Sequence, residues 1–306
     1  MKYIIAFSIL LPLVFSCSEE KPAGLQLNGD QEVLSSVTKS TKEDASYWFG
    51  GNAEITSYSL KQARYGEIHT GTAVFVFVTE PFSQSLGTKS DTPRKDNVQV
   101  LKLNHTRKFN TGIYPYSMMT SSFFPFHQGN GSLKVSSTSQ EWCGHTYMEL
   151  MSKNGKFEMD VDSYFEGESY ENQQGAKALL EDDIWTMIRI RNSDLPSGKF
   201  EMYPTMMYAR LMHIPYRPYA CEAKLSKKDN TVVYSLHYPE LDRTVSITYE
   251  TAHPHAIVSW SETYYDGFGT SRKKLTTTAT KMKTVLTDYW NKHSVSDAAY
   301  RDSLNL

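Results

Sequence analysis

Two neighbouring stretches decide the fold class: TVVYSLHY (residues 231–238) and TVSITY (residues 244–249). In the first, Val232, Tyr234, Leu236 and Tyr238 share one face. In the second, Val245, Ile247 and Tyr249 alternate with Thr244, Ser246 and Thr248. A period of two is the signature of a β-strand with one buried and one wetter face. The pattern recurs outward along the chain. Phe157, Met159 and Val161 alternate with Glu158, Asp160 and Asp162, and Ala256, Val258 and Trp260 alternate with Ile257 and Ser259. Turn-forming residues punctuate the runs at Lys153-Asn154-Gly155, Lys228-Asp229-Asn230 and Tyr265-Asp266-Gly267. Turns about ten residues apart predict an antiparallel meander, sandwich or barrel.

Two segments depart from this rhythm. Thr72–Thr79 is apolar on both faces, with Ala73, Phe75 and Phe77 on one and Val74, Val76 and Val78 on the other, so both sides need cover. Leu180, Ile184, Met187 and Ile188 recur at helical spacing, with acids Glu181, Asp182 and Asp183 early and Arg189 and Arg191 late, as the helix dipole favours. This predicts one internal helix, about Ala178–Arg191, lying against or inside the sheet and supplying that cover. A weaker, surface helix is predicted within Leu286–Leu304. The expected architecture is mainly β: a large antiparallel barrel, half-barrel or curved sheet, with one internal helix and a short C-terminal helix, in a single domain over residues 46–306.

The 306 residues hold 32 Lys and Arg against 34 Asp and Glu, a net charge of -2, with 40% hydrophobic residues and 20 Tyr. Such a chain has enough apolar surface to fold, and no basic field to attract nucleic acid. Three Cys are too few for a disulfide scaffold.

The N-terminus reads as an address. Lys2 precedes an apolar run from Tyr3 to Phe15, then Ser16-Cys17. The run is too short to span a bilayer and has the form of a secretory signal peptide. A small residue directly before Cys, following Leu13-Val14-Phe15, resembles the lipobox of bacterial lipoproteins. That resemblance implies cleavage after residue 16 and acylation of Cys17. Residues 17–45, rich in Ser, Lys, Glu and Asp, read as a lipidated N-terminus and tether. Acidic Ser18-Glu19-Glu20 resembles a surface-export signal and equally suits the start of a solvated tether. The expected address is the cell envelope, on the outer membrane, facing the periplasm or the exterior. The remaining thiols, Cys143 and Cys221, are either a disulfide, which an oxidising envelope permits, or two separate buried groups.

Motifs for chemistry are sparse. No H-E-x-x-H, P-loop, G-x-G-x-x-G, G-x-S-x-G or C-x-x-C occurs. His253-Pro254-His255 pairs two imidazoles, but the intervening Pro favours a loop over a metal site. Asp160, Asp162, Glu166 and Glu168 are dense enough for Ca²⁺, yet Gly167 does not match an EF-hand loop, and a solvated strand face explains them. No metal or other cofactor is expected. Arg210, His213, Tyr216 and Arg217 cluster with few acids nearby and could meet an anionic headgroup, or form a solvated loop. Tyr114, Tyr116, Met118 and Met119, then Phe123 and Phe124, and later Tyr203, Met206 and Met207, are the kind of aromatic and Met residues that line adaptable apolar pockets, partner surfaces or ordinary β-cores.

Lys61-Gln62-Ala63-Arg64-Tyr65-Gly66-Glu67, Lys108-Phe109-Asn110-Thr111-Gly112 leading to Tyr116-Ser117-Met118-Met119-Thr120, and Gly267-Phe268-Gly269 leading to Leu275–Thr280 resemble a Bacteroidota lipoprotein family. Its members are sometimes labelled septum formation inhibitor Maf. Ser90-Asp91-Thr92-Pro93-Arg94-Lys95 matches the S-x-S-P-R-R motif of Maf pyrophosphatases only loosely, in a polar loop with no βαβ pattern around it. The resemblance implies an envelope lipoprotein and carries over no catalytic residue. The expected function is a binding or carrier module for an apolar or lipid-like ligand. The alternative is an assembly partner of another envelope protein; a hydrolase or Maf-type nucleotide pyrophosphatase is a remote third.

Overall fold

The computed structural model describes residues 46–127, 129 and 131–306. The expected signal sequence (1–16), the expected acylation site Cys17 and the expected tether (17–45) lie outside these residues. The described chain is mainly β, as the period-two pattern predicts. Its strands are β1 (Ala53–Arg64), β2 (Glu67–Ser83), β3 (Thr88–Lys89), β4 (Asn97–Thr111), β5 (Tyr114–Pro125), β6 (Lys134–Glu141), β7 (Gly144–Lys153), β8 (Lys156–Ser163), β9 (Tyr170–Ala176), β10 (Leu179–Leu180), β11 (Gly198–Tyr203), β12 (Tyr219–Lys228), β13 (Thr231–Tyr238), β14 (Arg243–Glu250), β15 (Ile257–Asp266) and β16 (Lys273–Thr287). Helix α1 (Glu181–Ile190) follows β10, α2 (Met206–Met212) follows β11 and α3 (Ala299–Asp302) lies near the C-terminus.

One 16-stranded sheet contains all of them, in the order β10-β11-β12-β13-β14-β15-β16-β1-β2-β4-β5-β6-β7-β8-β9, with β3 a flap on β2. Every pairing is antiparallel except β10 with β11. The first and last strands, β1 and β16, pair in the middle. The two edges are β9 and β10, yet only Lys177 and Ala178 separate them in the chain. Three peptide units cover at most about 11 Å. The sheet must therefore curl until its edges nearly meet, leaving a seam without ladder bonds. Tyr203 of β11 reaches across the seam, donating its hydroxyl to the Ala176 carbonyl at 3.1 Å.

The helix predicted over Ala178–Arg191 is present as α1, one turn shorter because Leu179–Leu180 pair with β11. It lies inside the curl. Ile184, Trp185 and Ile188 are buried, and Trp185 meets Phe75 of β2 edge-on at 5.3 Å and Trp260 of β15 at 5.4 Å. This places Ala73, Phe75 and Phe77 inward, while Val74 and Val76 are only half-buried on the outer face. α1 is thus the expected internal helix, and the face it covers is the inner one. Outside, the C-terminal turn packs over β1, where Ser57 donates to the Leu304 carbonyl at 2.5 Å. The helix predicted within Leu286–Leu304 is shorter than the sequence pattern implied. β16 runs on to Thr287, two 3-10 turns follow, and only Ala299–Asp302 is α-helical. The alternation read over Ala256–Trp260 is also broken: a register shift opposite Tyr249 turns both Ile257 and Trp260 inward.

Gly71 marks the tightest strand approach. A Cβ there would lie 2.2 Å from the Lys108 carbonyl oxygen and 2.7 Å from the Phe109 Cβ. Because the obstacle is backbone, Gly71→Ala should part β2 from β4 and cost about 1–3 kcal/mol. A lower urea midpoint at unchanged slope would report it, and an unchanged midpoint would refute it.

Candidate functional site

α2 was not foreseen as a helix, and its placement builds the most distinctive cleft of the described molecule. Asp182 of α1 holds its start: one carboxylate oxygen accepts from the Thr205 hydroxyl at 2.5 Å and the other from the Met206 amide at 3.1 Å. Met206 and Met207 then plug the interior, fully buried. The helix ends at His213, whose left-handed conformation (φ 52°) caps it, and Pro215 prevents continuation. The last turn therefore delivers Arg210, His213, Tyr216 and Arg217 to one place, facing the ends of β7, β8 and β9.

The resulting cleft has a volume of about 380 Å³. Its apolar lining includes Met148, Val161, Ala209 and Ile214, and its polar lining includes Glu168, Tyr170, Arg210, His213, Tyr216 and Arg217. Arg210 is clamped: Nε donates to the Thr146 hydroxyl at 3.1 Å, Nη1 lies 3.3 Å from the His213 ring, and the guanidinium stacks 4.3 Å above the Phe165 ring. Burial pulls the Arg210 pKa below its ordinary value, and Glu168 opposes that shift. Glu168 bonds His213 Nδ1 at 2.5 Å and accepts from the Ser163 hydroxyl at 2.8 Å. Burial alone would raise the Glu168 carboxyl, but these hydrogen bonds hold it below the usual carboxylate range. The Ser163 hydroxyl thus serves Glu168 and the turn at Phe165 rather than His213.

Two groups stand out. The hydroxyls of Tyr170 and Tyr216 are buried and without a hydrogen-bond partner, and both residues line the cleft. Buried polar atoms are almost always paired, so two orphaned hydroxyls set in the wall of one cleft suit an acceptor brought against that wall. The cleft therefore sets two phenols and two guanidiniums over an apolar floor, with Arg217 already donating to Glu240 and Glu168 bonded to His213.

The sequence cluster Arg210, His213, Tyr216 and Arg217 is brought together, and Glu168 joins it. The aromatic and Met candidates are mostly not a surface. Tyr116, Met118, Phe124, Tyr203, Met206 and Met207 are buried in the core, Tyr114 and Phe123 are half-buried, and only Met119 is exposed. Cys143 and Cys221 are free rather than bridged: Cys143 is exposed on the β6–β7 turn and Cys221 is buried on β12 among interior side chains. Asp160, Asp162, Glu166 and Glu168 disperse, with Asp160 accepting from the Asn172 amide and Glu168 serving the cleft. Among the described residues no group of three or more His, Cys, Asp or Glu is placed to hold a metal ion. His253-Pro254-His255 forms a loop at the end of β14, whose Pro254 carbonyl accepts from Arg189. The Ser90–Lys95 segment is a loop beside the β3 flap of an antiparallel sheet, not the parallel setting of a Maf site.

No described helix is long and apolar enough to cross a membrane. No family model matches the chain, and no curated protein matches it. Among solved structures, a porin-like protein from Bacteroides uniformis ATCC 8492 is 9% identical, covering 75% of this chain and 95% of its own, with a TM-score of 0.21. MucB in complex with MucA(peri) is 11% identical over 78% of this chain and 94% of its own, with a TM-score of 0.10. At those scores the likenesses assign neither a family nor a function, and the resemblance to Bacteroidota lipoproteins rests on this chain's own residues.

Proposed function

We propose that the protein is a cell-envelope binding module, anchored by acylation of Cys17, that carries an amphiphile with an anionic head in the cleft beside α2. The observation that supports this is the pair of unpartnered Tyr170 and Tyr216 hydroxyls beside Arg210 and Arg217, above Met148, Val161 and Ile214. Hydroxyl and guanidinium groups all donate, so they select a phosphate- or carboxylate-like head. The apolar lining suits the first part of a hydrocarbon tail. This relocates the expected ligand from the Tyr and Met segments, which the core occupies, to the cationic cluster.

Tyr216→Phe separates binding from folding. It removes an unsatisfied buried hydroxyl, so the empty protein should be unchanged or more stable by up to about 1 kcal/mol. Its affinity for a single-chain alkyl phosphate should fall about tenfold, as loss of a hydrogen bond to a charged group implies. Arg210→Gln should weaken the same ligand at least as much. Titration calorimetry alongside thermal melting reads both effects. No binding by the parent chain, together with a lipid-free mass spectrum of the purified protein, would overturn the proposal.

A further inference from the structure

The turns joining β1 to β2, β4 to β5, β6 to β7, β8 to β9 and β15 to β16 all lie at one end of the sheet. The register between hairpins shows it: Lys61 of β1 pairs with Thr278 of β16, Gly71 of β2 with Phe109 of β4, Ser117 of β5 with Gln140 of β6, and Thr146 of β7 with Ser163 of β8. Four of those turns present a large apolar side chain to solvent. Ile113 is 84% exposed, Tyr164 70%, Trp142 67% and Phe268 63%. At the opposite end the two-residue turns are polar, Asn154-Gly155 and Asp229-Asn230.

The tips are linked along the rim by aromatic contacts. Phe268 meets Tyr65 at 6.2 Å, Tyr114 donates to the Tyr65 hydroxyl at 3.0 Å, and Tyr114 stacks on Trp142 at 6.2 Å. Beyond them Tyr164 meets Phe165, which packs on His213 at the cleft. Single exposed apolar residues are ordinary, but a stripe of them on separate turns of one rim marks an interaction surface. Trp and Tyr with a polar handle are the residues that settle at a membrane–water interface. The charges beside the stripe are mixed. Lys274 bonds Asp242, and Arg272 and Lys274 both lie over the Tyr265 ring. The rim therefore lacks the basic field expected for an acidic partner.

We infer that this aromatic rim docks onto a lipid surface, inserting Ile113, Trp142, Tyr164 and Phe268 at the headgroup level of a bilayer. The inference does not depend on the ligand of the cleft, although the cleft lies at the same end. Nor does an N-terminal anchor forbid it. The described chain enters at Ser46, near the end of β1 opposite the rim. Residues 17–45 can reach about 100 Å at most, roughly twice the length of the 15-residue β4, about 50 Å.

The test uses the full chain on phosphatidylcholine vesicles whose acyl chains carry bromine, which quenches an inserted indole. Trp48, Trp185 and Trp260 are buried, and Trp290 is half-exposed just beyond the opposite end of the sheet, so two indoles can respond. The expected result is quenching that Trp142→Phe abolishes and Trp290→Phe leaves intact. It should persist at about 0.5 M salt, because insertion and not charge drives it. An Ile113→Asp/Phe268→Asp chain should keep its melting temperature, both sites being exposed, and lose at least nine-tenths of the quenching. Absence of quenching in the parent chain, quenching assigned to Trp290, or quenching unchanged by the double substitution would each overturn the inference.

Discussion

Arg243→Met is expected to remove a large part of the stability of the domain. Arg243 is fully buried and donates to both oxygens of Glu181, at 2.5 and 2.7 Å, and to Glu262 at 3.0 Å. Arg107 completes the group, donating to Glu262 at 2.6 Å and to the Gln62 carbonyl oxygen at 3.2 Å, while Tyr238 donates to Glu181 at 2.8 Å. Two guanidiniums and two carboxylates thus neutralise each other inside the curl, tying α1 to β1, β4, β13, β14 and β15. Burial alone would raise the Glu262 carboxyl, but Arg107 and Arg243 hold it down at about 2. Removing Arg243 strands one net negative charge in the interior. Breaking such a buried pair costs about 3–5 kcal/mol, a large part of the roughly 5–15 kcal/mol that domains possess. Arg243→Met with Glu181→Gln should lose less than the sum of the single changes, since the second substitution removes the stranded charge. Denaturant unfolding of the four chains measures the coupling. A near-normal midpoint for Arg243→Met would refute the assignment.

The second large effect is a dependence on pH carried by α1. Burial pushes the Asp182 carboxyl up to about 7 and that of Asp183 up to about 6. Their partners are neutral: Thr205 and the Met206 amide for Asp182, the Ser132 hydroxyl and amide for Asp183. Between about pH 4 and pH 7 the folded state therefore keeps protons that the unfolded chain has released. Stability should fall as pH rises through that window, by up to about 4 kcal/mol for Asp182. Glu262 has the opposite sign, stabilising above about pH 4 and losing that contribution only as pH falls towards 2. Asp182→Asn preserves the bonding, because its amide can accept from Met206 and donate to Thr205. It should be as stable as the parent chain at pH 5, more stable at pH 8, and flatter between. Equal pH slopes for the two chains would refute the account. Since Asp182 seats α2, the alkyl phosphate affinity is expected to decline over the same window in the parent chain.

Much of this architecture was legible in residue order because it is local. Alternation at Thr244–Tyr249 reports a strand with one buried face wherever the strand ends up. Helical spacing at Leu180, Ile184 and Ile188, with acids first and Arg last, identifies α1. The cluster Arg210–Arg217 spans eight residues, so its proximity needed no fold. The charged interior was missed, although a signal existed. Glu262 shares parity with Trp260 and Tyr264, and Arg107 shares parity with His105 and Phe109. A charge at an inward-facing strand position requires a buried partner. Tyr116 and Met118 were ambiguous because the same side chains fill cores and coat surfaces, and strand register alone chooses the face.

The sequence by itself determined the class of structure, the internal helix, and a cationic segment suited to an anionic head. The tertiary structure decided which way each of these points. Curling draws the two edges, β9 and β10, together along a seam, seats α1 against the inner face, and sets Glu168 and Tyr170 against Arg210 across 40 or more residues of chain. It also gathers Ile113, Trp142, Tyr164 and Phe268, scattered over half the sequence, onto one rim. The reason is physical. Periodicity and capping act within a turn or a strand, whereas pairing register and sheet curvature are set by long-range ladder bonds and packing, which no local window contains.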